Sequence, residues 1–130
     1  MDDSTYPIPE LPTPDPTYDP EAVIDIQLTA LADNDEPVEN AGIKTAYNFA
    51  SLGNRRATGP LPRFISMVEG RRYAPMIDHT EAVTGPVERD GRRATRRVTL
   101  TGPDGRTVTY RFEVSRADND CWLTDAVVVE

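Results

Sequence analysis

The spacing of apolar residues changes near Met76 from the period of a helix to the period of a strand. In residues 61–68, apolar side chains recur at i, i+3, i+4 and i+7, which places them on one face of an α-helix. In residues 98–101 and 107–114, apolar and polar side chains alternate, which is the pattern of a half-buried strand. Because the helical patterns all precede the strand patterns, we expect an α+β fold whose helices cover one face of an antiparallel sheet.

Three helices are predicted before the strands. The motif Asp19-Pro20-Glu21 starts the first, over 20–33, because Asp can cap free amides and Pro suits the first helical position. The second helix occupies 40–53, with Asn40 as its expected cap, and the third occupies 59–70.

Four strands forming a meander are predicted after the helices. Asp90-Gly91 is a turn signal between two of them, and Gly102-Pro-Asp-Gly105 is another. The predicted strands are 79–88, 93–101, 106–116 and 121–129. The expected architecture is therefore three N-terminal helices packed on a curved four-stranded antiparallel sheet.

Proline is concentrated at the N-terminus, where six of the 12 prolines lie in the first 20 residues. Such density removes backbone donors and favours the polyproline II conformation. We therefore divide the chain into an acidic, Pro-rich tail (1–18), extended and outside the core, and one α+β domain (19–130).

Charge and composition exclude several classes of function. The chain has 22 acidic and 14 basic residues, a formal charge of -8 that disfavours nucleic-acid and anionic-membrane partners. One Cys and one His exclude an internal disulfide and a Cys/His zinc site, and we expect no cofactor. No apolar run is long enough to cross a membrane, and the acidic start has no signal-peptide pattern, which predicts a cytoplasmic protein.

The basic residues are 13 Arg and a single Lys, Lys44. An acidic chain that prefers Arg resembles proteins of salt-loving archaea, although a high-GC genome also replaces Lys by Arg.

Four segments resemble a known family: IDIQLTALADND (24–35), AYNFAS (46–51), RFISMVEGRRYAPM (63–76) and CWLTDAVVV (121–129). They are similar to the uncharacterised domain-of-unknown-function family 4864, within the nuclear-transport-factor-2-like (NTF2-like, or cystatin-like) superfamily. The resemblance implies a cone of helices over a curved sheet, sometimes with a pocket for small apolar ligands or for isomerase and dehydratase chemistry. It also implies a homodimer through the outer sheet face. It supplies no catalytic residues.

The candidate ligand-binding residues are mostly aromatic side chains that can line an apolar cavity with a few polar tips. They are Tyr47, Phe64, Tyr73, His79, Tyr110 and Trp122, and Phe112 has the same character. The alternative is that these residues form an ordinary core.

An enzyme is the alternative to a binding module. His79 follows Asp78, and an imidazole can act as a general base near neutral pH. Neighbours on a strand point to opposite faces, however, so Asp78 is poorly placed to orient the ring. Asp125 is the nearest approach to a buried carboxylate base. We therefore favour a non-enzymatic module that binds a small ligand or a protein.

A cluster of arginines around the Asp90-Gly91 turn is the basic patch of the sequence. Arg92, Arg93, Arg96 and Arg97 are its candidates for binding an anion or an acidic partner, which is the third functional hypothesis. The alternative is a solvated hairpin. Cys121 is expected to be a small buried apolar residue rather than a nucleophile, since no base or helix start lies near it in sequence to activate the thiol.

Overall fold

The α+β layout is confirmed in a computed structural model that describes residues 6–130. The helices are α1 (Pro20–Ala32), α2 (Ala41–Asn48), α3 (Leu52–Thr58) and α4 (Leu61–Glu69), followed by a 3-10 turn at Ala74–Met76. The strands of one open antiparallel sheet are β1 (Glu81–Thr84), β2 (Glu88–Asp90), β3 (Arg93–Thr101), β4 (Thr107–Arg116) and β5 (Trp122–Val129). Over this part of the chain, every helix is too short or too polar to cross a membrane.

Helix α1 begins where the sequence predicts. The Oδ1 atom of Asp19 accepts a hydrogen bond from the Ala22 amide at 2.8 Å, and Pro20 occupies the first helical position. Val23, Ile24 and Leu28 are buried on one side of the helix, so the predicted apolar stripe faces the core.

The second helix begins where the sequence predicts, with Asn40 in the N-cap position, but it ends earlier than the predicted residue 53. The Asn40 side chain does not cap α2; instead the Oδ1 atom of Asn34 accepts from the Ile43 amide at 3.0 Å. Helix α2 stops at Asn48, because the next residues approach β5 and the Ser51 amide binds the Thr124 carbonyl at 2.9 Å. The Ser51 side chain then caps the separate helix α3, giving four helices rather than three.

The predicted edge strand 79–88 is also wrong, because it is broken into β1 and β2. Both segments pair with β3, and the break lies at Gly85 and Pro86. Proline has no amide to donate to a ladder, so pairing stops there. The remaining order, β1-β3-β4-β5, is the predicted antiparallel meander.

The helices cover one face of the sheet. Alternate residues of β3 and β4 are buried in the core with α1, namely Ala94, Val98, Leu100, Tyr110, Phe112 and Val114. The opposite face is polar: the Thr99 and Thr109 hydroxyls, for example, are hydrogen-bonded at 2.8 Å. A β-bulge between Glu113 and Val114 shifts the register against β5.

Residues 6–18 lie against the domain rather than outside its core. Leu11 is 8% exposed, and Ile8 packs on the core. The buried Asn48 side chain accepts from the Ile8 amide at 2.9 Å and donates to the Ile8 and Pro12 carbonyls at 2.8 and 3.0 Å. The expectation of an excluded tail is therefore corrected for these residues, whereas residues 1–5 lie outside the described part.

Candidate functional site

A cavity of about 250 Å³ lies between the helices and strands β4 and β5. Its walls are contributed by α1, α2, α3 and α4, the loop that follows α4, and the sheet. The lining residues are Gln27, Leu31, Ala46, Asn54, Ala57, Thr58, Phe64, Met67, Val68, Tyr73, Met76, Phe112, Thr124, Asp125, Ala126 and Val127. Most of these side chains are apolar, so the site favours an apolar molecule.

Two of the six candidate ligand-binding residues, Phe64 and Tyr73, line this cavity, and so does Phe112. The Tyr73 hydroxyl donates to the Val127 carbonyl at 2.8 Å, which holds the ring against the wall. Tyr47 is not in the lining: it packs on Phe64 with ring centroids 5.0 Å apart, and its hydroxyl donates to the Gly59 carbonyl.

The remaining candidates, Tyr110, Trp122 and His79, are also outside the lining. Trp122 is buried beneath the guanidinium of Arg89, which lies 4.9 Å from the ring centroid. His79 is buried before β1 and its Nδ1 atom donates to the Met76 carbonyl at 2.8 Å. Both side chains therefore have structural partners.

Tyr110 supports the wall from behind. Its ring stacks on Tyr73 at 6.0 Å between centroids, and its hydroxyl donates to the Arg72 carbonyl at 2.8 Å. Burial raises the pKa of Tyr110 to about 12, although the positive charge of Arg106 opposes this rise. The phenol therefore remains neutral and keeps its bond to the loop after α4.

The polar floor of the cavity is formed by Gln27 and Thr124, which the sequence analysis did not select. The Gln27 Nε2 atom donates to the Val23 carbonyl at 3.1 Å and to the Thr124 hydroxyl at 2.8 Å. Both residues are 2% exposed. The sequence does contain a signal for Gln27, because it lies within the apolar stripe of α1 and a buried polar side chain needs a hydrogen-bond partner.

The Gln27 Oε1 atom receives no hydrogen bond from residues 6–130. In the same range, every side-chain nitrogen or oxygen atom either has a hydrogen-bond partner or retains some accessible surface. The Oε1 atom is therefore accessible, and because Gln27 lines the cavity this atom is the candidate acceptor for a ligand. The Thr124 hydroxyl accepts from Gln27 and keeps its own proton for a ligand.

Helix α3 forms the rim of the cavity, and none of its seven residues is buried. The Asn54 side chain donates to the Thr124 carbonyl at 3.1 Å, and the Thr58 hydroxyl donates to the Asn54 carbonyl at 2.9 Å. The exposed Asp125 supplies the carboxylate of the lining. Within the described range, no group of His, Cys, Asp and Glu is placed to hold a metal ion.

Asp78 and His79 do not form a catalytic pair. The Asp78 carboxylate accepts from the Asn34 amide at 3.0 Å, and the Asp78 amide donates to the Leu31 carbonyl. Asp78 therefore fixes the end of α1. Cys121 is buried, as expected, and lies 3.7 Å from the Tyr6 hydroxyl.

The four hairpin arginines are dispersed rather than gathered at one surface. Arg96 is 7% exposed and turns towards α1, where it pairs with Asp25 at 2.9 Å and Glu21 at 3.4 Å. It therefore connects β3 to α1. Placing Arg96 on an exposed patch was wrong, because it occupies a core-facing position of β3.

The other three hairpin arginines have separate surroundings. Arg97 pairs with Glu130 at 3.1 Å on the outer face. Arg92 donates to the carbonyl groups of Arg116 and Ala117, and Arg93 is exposed. The predicted cluster therefore divides between the two faces of the sheet and the hairpin end.

Comparison with known proteins yields a family but no close relative. No curated protein and no solved structure matches the chain. A match to the family described as Domain of unknown function (DUF4864) covers residues 16–130, which includes every helix and strand described above. The predicted resemblance to this family is therefore confirmed, and the chain belongs to it.

Proposed function

We propose that this protein is a non-enzymatic module that binds a small, mostly apolar ligand in the cavity between its helices and its sheet. The supporting observation is an apolar wall that surrounds one polar pair, Gln27 and Thr124. Ligand pockets commonly combine apolar side chains with a few polar groups that fix the orientation of the ligand.

The volume and the polar pair limit the chemistry of the ligand. An engineered apolar cavity of roughly 150 Å³ binds benzene, so about 250 Å³ suits a somewhat larger molecule. The Gln27 carbonyl oxygen accepts a hydrogen bond and the Thr124 hydroxyl donates one. A ligand with one hydroxyl or amide group on an aromatic or aliphatic body satisfies both.

The lining supports binding over catalysis. Its only carboxylate among the described residues is the exposed Asp125, and it has no His or Cys side chain. An isomerase or dehydratase needs a base within reach of the substrate, and His79 is bound to Met76 outside the cavity. The enzyme alternative therefore has no observation in its favour.

Several finer features belong to the same proposal. The helical layer over one sheet face agrees with an NTF2-like cone, in which the cavity is the ligand pocket. A haloarchaeal source, a cytoplasmic location and a homodimer through the outer sheet face remain predictions from the sequence and the resemblance. The outer face is polar and has ion pairs such as Arg97–Glu130, which a partner copy would have to accommodate.

Titration of the full chain with benzyl alcohol and with toluene, followed by methyl NMR, tests the proposal. Saturable shifts at Met67, Met76 and Val127, with tighter binding of the alcohol, are expected because only the alcohol can bind the polar floor. Thr124→Val should remove the preference for the alcohol, whereas the matched variant Thr99→Val on the outer face should retain it. Shifts spread evenly over the surface would contradict the proposal.

A further inference from the structure

Three arginines outside the predicted basic cluster surround one shallow concavity. Arg71 and Arg72 lie in the loop after α4, and Arg106 immediately precedes β4. Together with Val108 and Val129 they line a depression of about 470 Å³. It is separate from the cavity described above, with which it shares no lining residue.

These arginines differ from the paired arginines of the domain. Arg96, Arg97, Arg111 and Arg116 each form an ion pair with Asp or Glu. Within residues 6–130, no ion pair joins a carboxylate to Arg71, Arg72 or Arg106. Asp104 accepts from the Arg106 backbone amide at 3.0 Å and does not pair with its guanidinium. Adjacent positive charges repel one another, and an anion relieves this repulsion.

The loop that carries two of the arginines is held by the sheet. The Arg106 guanidinium donates to the Arg71 carbonyl, and the Tyr110 hydroxyl donates to the Arg72 carbonyl at 2.8 Å. These two bonds fasten the loop that carries Arg71 and Arg72 to β4 and to the residue before it. Ligand binding at this loop should therefore cost less conformational entropy than binding at a mobile loop, which the ligand would have to order.

We propose that Arg71, Arg72 and Arg106 form a binding site for a small organic anion, a carboxylate or phosphate attached to a compact apolar body. Guanidinium groups match these anions by paired N–H donors and remain protonated at all physiological pH values. Val108 and Val129 contact the apolar body of the ligand. A volume of about 470 Å³ lies within the range of small-molecule sites, roughly 300–1,000 Å³.

The test is an NMR titration of the full chain with phenyl phosphate, benzoate and inorganic phosphate as separate probes. Phenyl phosphate should bind saturably and shift the Val108 and Val129 methyl signals, with inorganic phosphate binding several-fold more weakly because it lacks the ring. Benzoate distinguishes a carboxylate site from a phosphate site, and either preference supports the proposal. Added salt should weaken binding of all three probes.

Two variants and one control locate the site. Arg106→Gln should weaken phenyl phosphate binding about tenfold, since a hydrogen bond to a charged group contributes about 1.4 kcal/mol or more. Arg72→Gln should weaken it several-fold with unchanged methyl dispersion, because within residues 6–130 the Arg72 side chain makes no hydrogen bond or ion pair. Arg93→Gln, an exposed hairpin control, should change it less than twofold.

Three results would overturn the proposal. One is the absence of saturable binding by any of the probes. Another is an equal loss in Arg93→Gln, which indicates non-specific attraction to exposed arginines. The third is a set of shifts centred on the hairpin residues rather than on Val108 and Val129.

Discussion

Replacing Asn48 by Ala tests how strongly residues 6–18 are attached to the domain. The Asn48 side chain makes three hydrogen bonds to the Ile8 and Pro12 backbone, at 2.8 to 3.0 Å, and is fully buried. Each such bond contributes about 1 kcal/mol net, so Asn48→Ala should lower the free energy of unfolding by about 3 kcal/mol. Urea unfolding of the full chain measures this loss.

A chain that begins at residue 16, where the family match begins, provides the control. Without Ile8 and Pro12, the Asn48 amide has lost these partners, so Asn48→Ala should change the free energy of unfolding by less than about 0.5 kcal/mol there. Hydrogen exchange supplies a second readout, because the Ile8 amide should lose protection in the full-length variant. An equal loss in both chains would refute the attachment of this segment through Asn48.

Three further substitutions test single contacts. Arg96→Met removes the ion pair with Asp25 and three further hydrogen bonds that Arg96 donates. It should lower the free energy of unfolding, measured in urea, by about 2 kcal/mol. An unchanged free energy of unfolding would contradict the role of Arg96 in holding α1. Because burial raises the pKa of Tyr110 to about 12, its neutral phenol should contribute fully to the free energy of unfolding below pH 10, and this contribution should be lost as the pH rises to about 12. Unfolding measured at a series of pH values should show this dependence in the natural chain and not in Tyr110→Phe. Gly42→Ala would place a Cβ atom 2.5 Å from the Ala30 carbonyl and should cost about 1–3 kcal/mol in the same assay, whereas a neutral effect would show that α1 and α2 separate readily.

Local signals allowed the best predictions of the fold. Helix α4 differs by one or two residues from the predicted 59–70, because its apolar period and the glycine at its end are contained within one short segment. The turns that flank β3 were correct for the same reason, since each depends on two to four residues. The split of the edge strand was also available locally, because Pro86 inside a predicted strand is an edge or break signal.

Long-range contacts explain the main errors. Helix α2 ends where it does because residues 49–51 bind Thr124, more than 70 residues away. The Asn48 bonds that draw residues 6–18 onto the domain span 40 and 36 positions of sequence. Neither contact leaves a periodic pattern, so composition suggested an excluded tail and one long helix.

The sequence pointed to some aromatic residues of the cavity wall and to neither of its two buried polar residues. Phe64 and Phe112 stand on predicted apolar faces, and both line the cavity together with Tyr73; their role in binding a ligand stays a prediction. Gln27 and Thr124 meet across 97 positions of sequence, and only the packing of α1 against β5 brings them together. Arg96 was misplaced because its charge suggested exposure, whereas its alternation with Ala94 and Val98 indicates the core face.

The most direct test of the proposed binding module is a crystal structure of the full chain under xenon pressure. Xenon enters pre-formed apolar cavities without needing a specific partner. We expect one ordered xenon site in contact with Phe64, Met76 and Val127, next to the Gln27–Thr124 pair. If the crystal instead shows these side chains packed together with no xenon between them, the cavity is filled and the proposed ligand has no place to bind.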